Sequence, residues 1–164
     1  MIIPGHRVKE TELVKDAPYA SQFQPAGVDL TLKSIFSFSE AGCIDGDNAK
    51  RRLPKTTELV FPAIDAPLHL SPGTYKVIFN ELVKIPHDAI ALTFPRSSLL
   101  RMGASMHNAV WDPGYEGRGE AMLLVANSHG LDVHKNAKLV QMVFVRMESA
   151  ASSTYSGKYM HENK

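Results

Sequence analysis

The sequence predicts an all-β protein: a sandwich or barrel of short antiparallel strands, with one or two short helices. Three observations carry that expectation. Apolar, β-branched and aromatic residues fall in short runs, several of them alternating. The 10 prolines and 11 glycines are spread through the 164 residues, so turn signals recur between the runs. Strands repeated every roughly 8–12 residues are the mark of sandwiches and barrels. Finally, only two stretches carry helix signals.

Taken in order, Val8 to Lys15 reads as a short helix. Val28, Leu30 and Leu32 alternate within a strand from Gly27 to Lys33, and Ile35 to Phe38 forms an aromatic, β-branched run after it. Thr57 to Phe61 is a short strand bounded by Pro54 and Pro62. Thr74 to Phe79 puts Tyr75, Val77 and Phe79 on one face, and Ala89 to Phe94 lies between Pro86 and Pro95. Ser97 to Gly103 is the second helix candidate, with Ser97 as cap and Gly103 as stop. Met122 to Ala126 is nearly all apolar. Lys138 to Val145 has Leu139 and Val143 on one face and Val140, Met142 and Phe144 on the other. The charged stretch Asp45 to Pro54 reads as a solvated loop. Residues 1–148 form one β domain, and the small, polar residues 149–164 form a flexible C-terminal tail and candidate lid.

Composition limits the function classes. Hydrophobic residues are 44% and charged residues 21%, as in an ordinary globular chain. A net charge of +1 argues against holding nucleic acid by charge alone. The single cysteine, Cys43, excludes internal disulfides, multi-cysteine zinc sites and the zinc-dependent deaminase mechanism. No run approaches the ~20 apolar residues of a membrane helix, and the N-terminus lacks a signal-peptide core. A cytoplasmic location without membrane or nucleic-acid partners is therefore expected.

Three stretches hold more polar and glycine residues than a β scaffold needs. In Phe94-Pro95-Arg96-Ser97-Ser98-Leu99-Leu100-Arg101-Met102-Gly103, a strand stops at proline, and two hydroxyls and two arginines follow. Serine hydroxyls, helix-start amides and arginines bind phosphate oxygens, although a capped helix with solvated arginines gives the same pattern. In Asn108-Ala109-Val110-Trp111-Asp112-Pro113-Gly114-Tyr115-Glu116-Gly117-Arg118-Gly119-Glu120, a turn signal and two further glycines suggest a wide or bulged hairpin. Its backbone groups are accessible to a flat polar molecule such as a base. Asp112 also suits a plain turn, and Tyr115 a packed hairpin aromatic. In Gln24-Pro25-Ala26-Gly27-Val28-Asp29-Leu30, Asp29 interrupts an apolar strand. It faces solvent, pairs with a cation or belongs to a site, and solvent is the commonest of these outcomes. His107 precedes the hairpin. No paired-histidine metal motif, P-loop or Gly-x-Ser-x-Gly elbow is present.

In this order the stretches resemble the deoxyuridine triphosphatase and dCTP deaminase superfamily, most of all its archaeal-type triphosphatases. The residues that carry the resemblance are Gln-Pro-Ala-Gly-Val-Asp-Leu at 24–30, Pro-Arg-Ser-Ser-Leu at 95–99 and Ala-Val-Trp-Asp-Pro-Gly-Tyr-Glu-Gly at 109–117. Lys-Leu-Val-Gln-Met at 138–142 and Tyr-Ser-Gly-Lys-Tyr at 155–159 complete it. The resemblance implies a distorted jelly-roll (β-clip) barrel, a homotrimer with sites between subunits, and hydrolysis of dUTP to dUMP and pyrophosphate with Mg²⁺. It makes Asp112 the base that activates water. It places Tyr115 beneath the deoxyribose and makes Ser97, Ser98, Arg101 and Gln141 phosphate binders, with Arg96 in support. Asn108, Lys158 and Tyr159 join the substrate-binding candidates. Asp29 orients a metal-bound water, acting on Mg²⁺ in the outer sphere, while the triphosphate itself holds the metal.

The tail is closer in style to the deaminase branch. That branch needs a glutamate on the strand after the hairpin. Counting from Asp112 places it at Met122, and aligning on Asn127 places it at Leu124. Neither side chain moves a proton. Glu120 is the nearest carboxylate and shares their strand face. A dCTP deaminase or bifunctional enzyme is thus the alternative activity, and a catalytically silent nucleotide-binding trimer the alternative of another class.

Overall fold

The computed structural model describes residues 1–164. Fourteen strands and two short α-helices follow one another along the chain. The first half holds β1 (Ile2–Ile3), α1 (Gly5–Glu10), β2 (Val14–Lys15), β3 (Phe23–Gln24), β4 (Gly27–Phe38), β5 (Thr56–Glu58), β6 (Leu68–Leu70) and β7 (Gly73–Phe79). The second half holds β8 (Leu82–Lys84), β9 (Ala89–Pro95), α2 (Ser97–Arg101), β10 (Ala104–His107), β11 (Glu116–Gly117), β12 (Glu120–Val125), β13 (Leu131–Val133) and β14 (Lys138–Arg146). No helix is long and apolar enough to cross a membrane.

Every strand pairing is antiparallel. The main sheet runs β1-β14-β4-β7-β12-β10 and curls on itself, with β3 and β5 also on β4 and β9 also on β14. A small sheet, β11-β8-β2, and a two-stranded ribbon, β13-β6, complete the all-β architecture. β14 is paired along both edges, with β9 on one and β4 and β1 on the other. Leu139, Val140, Met142 and Phe144 are all buried there.

Several elements differ from the sequence expectation. The strand expected from Gly27 to Lys33 and the run after it are one strand, β4. A bulge between Leu32 and Ser34 shifts the buried series from Val28, Leu30 and Leu32 to Ile35. The N-terminal helix starts at Gly5 and stops at Glu10, because Thr11 leaves helical geometry and Glu12 takes a φ of 51°. Val14 and Lys15 are therefore a strand, not helix. The strand expected over Thr57 to Phe61 closes at Glu58, and that expected from Met122 begins at Glu120. Ser97 is the first helical residue of α2 rather than its cap; extended Arg96 holds the cap position without a side-chain hydrogen bond. Gly103 does end the turn, with a φ of +74°.

The hairpin is formed by β10 and β12, whose register runs from Ala104–Val125 to His107–Met122. Its mouth, residues 108–119, is stitched to the rest of the barrel. Trp111 and Ala91 exchange two backbone hydrogen bonds of 3.0 Å. Gly114 donates to the Ile85 carbonyl at 3.1 Å, and the Ile85 amide donates to the Tyr115 carbonyl at 2.8 Å. The C-terminal residues lie against this mouth: the Tyr155 amide donates to Pro113 at 2.8 Å and the His161 amide to Glu116 at 2.7 Å.

Candidate active site

Asp112-Pro113-Gly114-Tyr115 is a β-turn closed by the backbone, with the Tyr115 amide donating to the Asp112 carbonyl at 3.2 Å. Proline in the second position and a glycine at φ +84° in the third suit that geometry. The Asp112 carboxylate takes no part in the turn. It is exposed, makes no hydrogen bond or ion pair, and lines a cavity of about 580 Å³.

Tyr115 forms part of the cavity wall and is only 6% exposed. Its ring meets Trp111 edge-on at 5.3 Å and Tyr155 at 5.7 Å. Its hydroxyl donates to Glu162 Oε1 at 2.8 Å. Burial and the Glu162 carboxylate push the phenol far above its ordinary range, so it remains a neutral donor. Burial also raises Glu162, opposed by this hydrogen bond. Gly119 lets the Trp111 ring lie flat on the backbone: a Cβ there would stand 2.1 Å from Trp111 Cη2. Tyr159 and Glu120 line the same cavity. Lys158 is exposed and lies outside it.

β12 shows two-residue alternation. Ala121, Leu123 and Val125 are buried, while Glu120, Met122 and Leu124 take the other face. Glu120 Oε1 accepts from Lys76 Nζ at 3.1 Å and from Asn163 Nδ2 at 3.3 Å. Met122 is 37% exposed and brings no acid to that face. Asn108 does not line the cavity, but both ends of its amide are buried without a partner, as in a group awaiting a ligand or a neighbouring chain.

A second polar group is centred on Asp29. Of the outcomes open to it, solvent exposure, the commonest, does not hold: the residue is 2% exposed. β4 is covered on both faces here, so the carboxylate turns into a nest of donors. Gln24 Nε2 donates to Oδ2 at 3.1 Å, Arg96 Nε lies 3.5 Å away and Lys138 Nζ 3.7 Å away. Burial raises the Asp29 carboxyl above its usual range, and Arg96 and then Lys138 pull it back. Gln141, half-buried on β14, stands opposite both Asp29 and Phe94 in the strand register. Ser97, Ser98 and Arg101 are exposed on α2, which packs through buried Leu99. The structure thus brings Asp112, Tyr115 and Tyr159 together at the cavity. Asp29, Arg96 and Gln141 gather separately, near α2. No hydrogen bond, ion pair or shared cavity lining joins the two groups within one chain.

Two residues around Asp29 escaped the sequence reading. Lys138 stands at the head of a strand whose Gln141 drew the attention. Glu81, fully buried, accepts from Gln22 Nε2 at 2.7 Å, from the Thr31 amide at 2.9 Å and from Thr31 Oγ1 at 2.6 Å. Gln22 also donates to the Asp29 carbonyl at 2.8 Å. Burial raises the Glu81 carboxyl, opposed first by its Thr31 hydrogen bonds. The one sequence signal was a carboxylate between two short apolar runs.

A curled antiparallel sheet with a glycine-rich hairpin mouth and a separate serine–arginine turn is the framework that carries these two polar groups. Residues 5–147 match the family model described as dCTP deaminase-like, and the chain belongs to that family. Among its curated relatives, a protein of Methanosarcina acetivorans is 47% identical over 87% of this chain and 83% of its own. One of Archaeoglobus fulgidus is 38% identical over 95% and 91%. Both are named probable deoxyuridine 5'-triphosphate nucleotidohydrolase. A relative from Methanocaldococcus jannaschii, 40% identical over 84% of this chain and 86% of its own, is named deoxyuridine 5'-triphosphate nucleotidohydrolase. The crystal structure of a 2'-deoxycytidine 5'-triphosphate deaminase from Agrobacterium tumefaciens superposes with a TM-score of 0.68 at 22% identity. It matches over 90% of this chain, which spans 49% of that one, and the likeness concerns the fold alone.

Proposed function

We propose that this chain is a dUTP diphosphatase, hydrolysing dUTP to dUMP and pyrophosphate. The observation that carries the reading is Asp112: an unpaired carboxylate at the rim of a cavity walled by Tyr115. Its relatives' names point to the same substrate. In this reading uracil lies against the backbone of residues 108–119, and the deoxyribose packs on Tyr115, which leaves no room for a 2'-hydroxyl. Asp112 takes a proton from a water as the water oxygen bonds to the α-phosphorus. The bond from that phosphorus to the bridging oxygen breaks, and pyrophosphate leaves. Ser97, Ser98, Arg101 and Gln141, with Arg96 in support, hold the phosphates, and Tyr159 and Lys158 close over the nucleotide.

The donors around Asp29 bear on Mg²⁺. Two cations and an amide crowd Oδ2, which suits neither an inner-sphere ion nor an all-protein cage. Oδ1 carries no hydrogen bond and is free to accept from a water of a hydrated ion. Asp29 would hold Mg²⁺ in this outer-sphere way, and the ion would neutralise charge on the phosphate oxygens.

The separation of the two polar groups supports a homotrimer in which one chain's phosphate group meets a neighbour's cavity. Phe94, Leu100 and Met102, exposed around α2, suit such a face. Glu120 lines the cavity and favours the deaminase alternative, but its Oε1 is held by Lys76 and Asn163. Incubation with dUTP and with dCTP, each with and without a chelator, tests the proposal. The expected products are dUMP and pyrophosphate, from dUTP only, and lost on chelation. Formation of dUTP or dUMP from dCTP would overturn the assignment of Glu120.

A further inference from the structure

The stretch Asp45 to Pro54, expected to be a solvated loop, brings Asn48, Arg51 and Leu53 to the cavity, and of these Arg51 is charged. The Asp47 carboxylate accepts from the Ala49 amide at 2.9 Å and opens a single 3-10 turn, Asn48–Lys50. The chain then returns through a bridge in which Cys43 and Arg52 exchange backbone hydrogen bonds of 2.8 and 2.9 Å. This fold-back sets Arg51 at the cavity that holds Asp112 and Tyr115.

Arg51 differs from its neighbour. Arg52 donates to the Ala41 carbonyl at 3.2 Å and lies 3.8 Å from Glu40. Arg51 has no carboxylate partner, and its Nε is buried without a hydrogen bond. The guanidinium lies over the Tyr159 ring, 5.4 Å from the centroid. The other charged residues lining the cavity are Asp112, Glu120 and Glu162, so Arg51 is its one cation. Lys76 balances Glu120 from outside the lining. A guanidinium held over an aromatic ring with no ion-pair partner is free to take an anion. Its planar fork suits a phosphate better than a carbonyl.

We propose that Arg51 is a further substrate-binding residue, a donor to the phosphate nearest the nucleoside. This rests on the reading of the cavity as a deoxynucleotide site. Arg51 shares its cavity with Tyr115 and Asp112, the residues assigned above to the deoxyribose and the α-phosphorus. It supplies positive charge from the same chain as the water-activating carboxylate, whereas Ser97, Ser98 and Arg101 act from α2.

The test is a set of equilibrium affinities for deoxyuridine, dUMP and the α,β-imido analogue of dUTP, in the wild type, Arg51→Ala and Arg51→Lys. Hydrogen bonds to charged groups give the scale: Arg51→Ala should weaken dUMP and the analogue by about 10–100-fold. Deoxyuridine affinity should stay within about 2-fold, and Arg51→Lys should recover part of the loss because it keeps the charge without the fork. An equal loss for all three ligands in both variants would make Arg51 a prop for the tail through Tyr159 and overturn the proposal. So would unchanged affinity for dUMP. If dCMP and α,β-imido-dCTP replaced the uridine ligands as tight binders with the same Arg51 dependence, the phosphate role would stand and the uracil reading would fall.

Discussion

Gly119→Ala perturbs the packing of the Trp111 ring against the hairpin mouth. A methyl at this position would lie 2.1 Å from Trp111 Cη2, 2.7 Å from Cζ3 and 3.0 Å from Cζ2. Ordinary van der Waals contact begins near 3.4 Å, so the overlap exceeds an ångström and falls on a rigid ring. Trp111 is 7% exposed, tied by its backbone to Ala91 and packed edge-on against Tyr115. It cannot swing away without moving the residues that frame Asp112. Overpacking of this kind costs about 1–3 kcal/mol. For a chain of this size that is a fall in Tm of roughly 2–12 °C. Trp111 is the sole tryptophan, so its fluorescence reports the displacement directly. The expected result is an altered emission maximum, a lower Tm and a raised KM for dUTP. Unchanged emission with Tm within about 1 °C of wild type, below the ~2 °C that the smallest overpacking cost implies, would refute the argument that Gly119 is required by the Trp111 seat.

Two further predictions concern the buried carboxylates. Glu81→Gln replaces one acceptor by an amide that confronts either the Thr31 N–H or the Gln22 amide, so it should cost about 1–3 kcal/mol by denaturant titration. Burial holds the folded Glu81 carboxyl above its unfolded value, near 4.3. The stability tied to its protonated form is therefore present below that value and is lost as pH rises toward the folded one. The gap between wild type and Glu81→Gln should narrow as pH rises above about 4.3, and a widening gap would contradict the sign. Asp29→Asn removes a buried charge whose desolvation outweighs Arg96 and Lys138, while an amide oxygen can keep the Gln24 hydrogen bond. Its Tm at neutral pH should stay within about 3 °C of wild type or rise, while kcat falls about 10–100-fold, as for residues that orient a metal's water. A large loss of Tm with kcat intact would make Asp29 a structural residue.

Much of the β scaffold was legible because its strands are long enough to show a period. β7, β9 and β14 fall close to the runs read from Thr74, Ala89 and Lys138. Strands of two or three residues, such as β1, β2, β11 and β13, have no period to read and exist only because a partner is already in place. Ser97, Ser98 and Arg101 share a turn, and Asp112 and Tyr115 share another, so local sequence is enough to group each set. Alternation alone favours solvent for Asp29 because it assumes one solvated face, and β4 has none at that point. Glu81 meets Gln22 and Thr31 across 59 and 50 residues of chain, which no local pattern encodes. Arg51 was hidden for the opposite reason: its charged surroundings look like solvated loop, and one 3-10 turn sends it inward.

Pyrophosphate release from dUTP by Asp112→Asn, measured beside wild type, tests whether Asp112 activates water in a deoxyuridine triphosphatase. The substitution keeps the turn, because the backbone closes it. The account predicts a fall in kcat of about 10²–10⁴ with KM changed only a few-fold, the signature of a lost general base. Turnover equal to wild type would contradict the assignment of Asp112 as the base.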